Sequence, residues 1–65
     1  MARYQIPKNV GKVRVAMASG GAFAVWNGKY GKDEFRILVR NRKKADEIAG
    51  KINRKEHQGE IDVFA

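Results

Sequence analysis

The chain has 65 residues, with 14 Lys and Arg against seven Asp and Glu, one His and no Cys, for a formal net charge of +7. A domain this small buries only about 60% of its unfolded surface, which argues against a deep enclosed substrate pocket; the absence of cysteine rules out a disulfide framework and a thiolate metal site. Hydrophobic residues make up 43% of the chain, too many for a disordered basic tail, so the positive field belongs to a folded domain and attracts polyanions.

Residues 1–10 form an N-terminal segment interrupted by Pro7, with Tyr4, Ile6 and Val10 as its apolar side chains. Residues 11–65 form the core of one domain spanning 1–65. Val13, Val15 and Met17 alternate with Arg14, Ala16 and Ala18; Ser19-Gly20-Gly21 follows; then Phe23 and Val25 alternate with Ala22, Ala24 and Trp26. That pattern predicts two strands joined by a glycine turn, with Ala18 facing Ala22, Ala16 facing Ala24 and Arg14 facing Trp26. After the turn-rich loop Asn27-Gly28-Lys29-Tyr30-Gly31-Lys32-Asp33-Glu34, Phe35, Ile37 and Val39 alternate with Arg36, Leu38 and Arg40 to give a third strand.

Ala45, Ile48, Ala49 and Ile52 recur at the spacing of an amphipathic helix, with Asn41 as its N-cap and Glu47 and Lys51 as a favourable pair. Gln58-Gly59 breaks the chain before a last strand in which Ile61 and Val63 alternate with Asp62 and Phe64. All the apolar series fall on odd numbers, so each strand offers one face to a core. The expected fold is α+β: a three-stranded antiparallel meander, one helix packed on its odd-numbered face, and a fourth C-terminal strand in the same sheet, βββαβ.

Two features point to a partner. Arg42, Lys43 and Lys44 open the helix at the end where the aligned peptide dipoles are already positive, each at a cost of about 0.3–1 kcal/mol at low salt. With Arg40 they surround outward-facing backbone N–H groups, an arrangement suited to phosphate; the plain alternative is a screened, solvated face. The even-numbered sheet face is the second feature, a strip of alanines ending in Arg14 and Trp26 and continued by Arg36, Leu38 and Arg40. Such a face suits close approach by a flat partner, with Trp26 stacking on a base and the arginines meeting phosphates or base edges. Two other readings stand beside it, burial under Tyr4 and Ile6 as a second small core, and a self-dimer. Lys29, Tyr30 and Lys32 belong either to an exposed hairpin tip or to a finger that touches the nucleic-acid backbone.

Catalysis has little to work with. The chain has no Cys or Thr, one Ser in a glycine turn, and one His, His57, beside Glu56 near the helix end. No carboxylate spacing suggests a paired-acid or metal site, so no enzyme, metal or cofactor is expected. No apolar run approaches the roughly 20 residues of a membrane span, and the N-terminus lacks a signal-like segment; the expectation is a soluble cytoplasmic protein. The expected function is nucleic-acid binding, DNA or RNA, through Arg14, Trp26, Arg36, Arg40, Arg42, Lys43 and Lys44. The alternative is a small inhibitor or modulator docking on an acidic protein partner.

Overall fold

The computed structural model describes residues 3–62. In chain order they form β1 (Arg3–Gln5), β2 (Arg14–Met17), β3 (Phe23–Trp26), β4 (Arg36–Val39), α1 (Arg42–Asn53) and β5 (Glu60–Asp62). The fold is α+β, with two antiparallel sheets and one helix: β2, β3 and β4 make a meander with β3 central, while β1 pairs with β5.

The first hairpin follows the expected register, with Arg14 opposite Trp26 and Ala16 opposite Ala24. Ala18 N–H donates to the Ala22 carbonyl at 2.9 Å, and the intervening Ser19–Gly21 turn places Gly20 and Gly21 at φ of 76° and 78°. Only glycine adopts that backbone without steric cost, so the Gly-Gly pair decides the turn. In the second hairpin Trp26 stands opposite Arg36 and Ala24 opposite Leu38. Its connection is organised by the Asn27 side chain, whose amide donates to the carbonyls of Asp33 at 2.9 Å and Val10 at 3.2 Å and accepts from Phe35 N–H at 3.0 Å and Lys29 N–H at 3.2 Å.

Helix α1 starts where Asn41 Oδ1 accepts from Lys44 N–H at 3.2 Å, as the capping pattern predicts. Ala45, Ile48, Ala49 and Ile52 are its buried stripe. The helix ends in paired bonds, Glu56 N–H to the Lys51 carbonyl at 2.8 Å and Lys55 N–H to the Ile52 carbonyl at 3.1 Å. This is a Schellman motif with a lysine, Lys55 at φ 58°, in the place usually held by glycine.

The last strand departs from the expected βββαβ order. It joins β1 in a separate ladder, with Tyr4 opposite Ile61 and Gln5 opposite Glu60, so the order is β-β-β-β-α-β. The physical reason lies at the start of β2. Asn53, the last residue of α1, donates to the Val13 carbonyl at 2.9 Å and accepts from Val13 N–H at 2.8 Å, taking hydrogen bonds that a further strand beside β2 would use. Residues 3–5 supply a free edge instead, and β5 fills it with an Arg3–Glu60 ion pair at 2.9 Å and an Ile6 N–H bond to the Gly59 carbonyl at 2.7 Å. Val63 and Phe64, expected in the last strand, lie outside the described residues.

A single core joins these pieces. Val13, Val25, Phe35 and Ile37 from the odd face, the helix stripe, and Ile6, Val10 and Ile61 form one buried cluster, with Val15, Phe23 and Val39 packed against it. Met17 is the exception on the odd face, 84% exposed. It is the final residue of an edge strand, and a stripe running from Ala45 to Ile52 covers only about 10 Å of sheet. Among the described residues, no helix is long and apolar enough to cross a membrane.

Candidate nucleic-acid interface

Ile6 and Val10 settle which side of the sheet the N-terminal segment covers. Both are buried in the core on the helix side, so the reading in which this segment folds over the alanines is overturned for the described residues. The even-numbered face carries neither α1 nor the β1–β5 ladder.

That face is built in rows by strand pairing. Arg14, Trp26 and Arg36 form one row across β2, β3 and β4, and Ala16, Ala24 and Leu38 the next. Ala18 and Ala22 follow at the turn, with Arg40 two residues beyond Leu38. Leu38 is 51% exposed, and Ala24, in the middle of the central strand, is shielded by its larger neighbours to 4%. A shallow depression of about 250 Å³ lies over this strip, bounded by Ala16, Met17, Ala24, Trp26, Tyr30 and Arg36, with Glu34 as its acidic rim.

Trp26 is held in place on several sides. The Arg14 guanidinium carbon lies 5.4 Å from the ring centre, Tyr30 meets the ring nearly edge-on at 5.3 Å and 69°, and the indole N–H donates to the Lys29 carbonyl at 3.2 Å. Tyr30 thus belongs to the face and remains 78% exposed. In the sequence it belonged only to the loop, because nothing local fixes how a β3–β4 connection folds back. Lys29 is turned elsewhere, its Nζ donating to the Asn9 carbonyl at 3.3 Å, and Lys32 is exposed in the short helical turn Gly31–Asp33.

The helix-start cations form a second basic group. Arg42 is exposed and only loosely paired with Asp46 at 4.0 Å; Lys43 is exposed; Lys44 is half-buried and makes an interaction of its own. Arg40 links the two groups, standing four residues from Arg36, a separation of about 13 Å along an extended strand. The structure therefore brings Arg14, Trp26, Arg36 and Tyr30 together, and leaves Arg42, Lys43 and Lys44 at the far end of β4.

A larger groove of about 510 Å³ runs between the N-terminal segment and the end of α1, lined by residues including Ile6, Pro7, Val10 and Ile52. It gathers none of the residues expected to bind nucleic acid. His57 sits there with Nδ1 accepting from Gly59 N–H at 3.2 Å, in a turn-closing role. Among the described residues, no group of three or more His, Asp or Glu side chains is placed to hold a metal ion.

Comparisons with protein-family models, with curated proteins and with solved structures each return no match for this chain.

Proposed function

We propose that the chain is a small, non-enzymatic, cytoplasmic nucleic-acid-binding protein whose working surface is the even-numbered face of the meander. The observation that carries this reading is the cross-strand row Arg14–Trp26–Arg36 beside a row of two alanines and an exposed leucine, on the side of the sheet away from the core. Long cations and an aromatic ring at one end of a low surface give phosphates and bases something to meet while letting the backbone come close. Net charge of +7 supplies long-range attraction to a polyanion. Arg40, Arg42 and Lys43 extend the basic surface past the end of β4 and position phosphates there. The Asn41 cap occupies Lys44 N–H, while the two preceding amides of the helix point out of its end.

Trp26 is the one tryptophan in the chain, so its fluorescence reports directly on this face. Titration with nucleic acid shifts or quenches the emission, and added salt reverses the change as counterions return to the phosphates. Binding that leaves the emission untouched would move the interface elsewhere. Failure to bind any nucleic acid, with binding to an acidic protein surface, would replace this function with protein docking.

A further inference from the structure

Resting on the reading above, we propose that the occupant of the even-numbered face is double-stranded DNA, approached through its major groove. The outer strands β2 and β4 flank β3, so at the usual spacing their axes lie about 10 Å apart. The minor groove of B-form DNA, about 6 Å wide, is narrower than that separation, whereas the major groove, about 12 Å wide, exceeds it. Height matters as much as width. Ala16 projects no further than a methyl group and keeps the β2 side of the face low, while Ala24 lies beneath its larger neighbours at 4% exposure. Arg14 and Arg36 stand on opposite outer strands, where a guanidinium meets either a guanine edge or a flanking phosphate. Leu38 and the Ala16 methyl suit contact with thymine methyl groups, and Glu34 on the rim can accept from a cytosine amino group.

The other nucleic acids fit less well. Single-strand binders offer open aromatic faces to unstacked bases, whereas one face of Trp26 carries the Arg14 guanidinium and Tyr30 crowds the ring. Duplex RNA presents a deep, narrow major groove that side chains cannot enter. A second copy of the chain would bring one basic face against another.

The test is a set of anisotropy titrations of the full chain with one short sequence, presented as duplex DNA, duplex RNA and single-stranded DNA. A fourth probe is the DNA duplex with bulky substituents on thymine C5, which project into the major groove. Duplex DNA binds tighter than the RNA duplex or the single strand by on the order of tenfold. The C5 substituents weaken binding by about the same factor, and so does Ala16→Leu, a change that raises strand propensity and leaves the melting temperature in place. Equal or tighter binding to RNA or single strands, or indifference to the C5 groups, overturns the groove assignment and leaves nucleic-acid binding standing. No binding to any of the four overturns both. Concentration-dependent dimerisation that buries Trp26 assigns the face to a second copy and also overturns the proposal.

Discussion

Among the described residues, Lys55 carries the clearest local strain. Its φ of 58° places a side chain in the left-handed region, where an L-residue other than glycine costs about 1–2 kcal/mol. The Schellman bonds of Lys55 and Glu56 hold it there. Lys55→Gly is accordingly expected to stabilise the domain by about 1 kcal/mol, raising the melting temperature by roughly 4–8 °C in a thermal scan. A melt at or below the parent's temperature would show that the lysine does something there beyond ending the helix. Next to it, the hydrogen bond and charge of Arg54 hold the Glu56 carboxyl below its ordinary range. Any stability from that pair is present above the ordinary carboxylate value and lost as pH falls through the lowered one. Both side chains are exposed, so the pair trims the helix end without deciding the fold. On the working face, Trp26 is similarly defined by its neighbours, which make it part of a fixed surface instead of a free ring.

Among the elements, α1 shows a conflict between local stability and surface charge. Asn41 caps the first turn, yet no acidic residue occupies that turn. Lys43→Glu changes an exposed cation at a positive helix end into an anion, and stability is expected to rise by up to about 1 kcal/mol. Affinity for DNA should fall, and the magnitude of the log K against log salt slope should drop by about 0.9 for one lost phosphate contact. An unchanged slope would make Lys43 a solvated residue with no part in binding. The hairpin and the helix were legible in the sequence because their signals are local: a period of two around Gly20-Gly21, and a period of 3.6 after Asn41. The pairing of Arg14 with Trp26 followed from the same periodicity once the glycine turn was fixed, whereas the register that sets Arg36 opposite Trp26 did not. What could not be read depended on contacts distant in sequence. The β1–β5 ladder is three residues on each side and joins the two ends of the chain. Asn27 belonged to a turn-rich loop and Asn53 carried no signal of its own, yet their amides substitute for backbone partners of Val10 and Val13. Tyr30 reached the site through the same kind of long-range folding, over a loop whose path no periodicity specifies.

For the whole molecule, the arrangement is one of segregated faces. A single core lies between the helix, the odd-numbered side of the meander and the β1–β5 ladder, and no charged side chain is buried among the described residues. The even-numbered side keeps small residues and cations facing outward, and the helix-start cations stand apart from that row, at the far end of β4. The central claim is that this outer face binds DNA, and one measurement bears on it most directly. The salt dependence of duplex-DNA affinity is compared for the parent and for an Arg14→Gln/Arg36→Gln double variant, with circular dichroism and a thermal melt to confirm that both are folded. Phosphate contact by both arginines predicts weaker binding and a slope smaller in magnitude by about 1.8, twice the contribution of one contact. A folded double variant with the parent's affinity and slope would contradict the account and remove the even-numbered face from DNA binding.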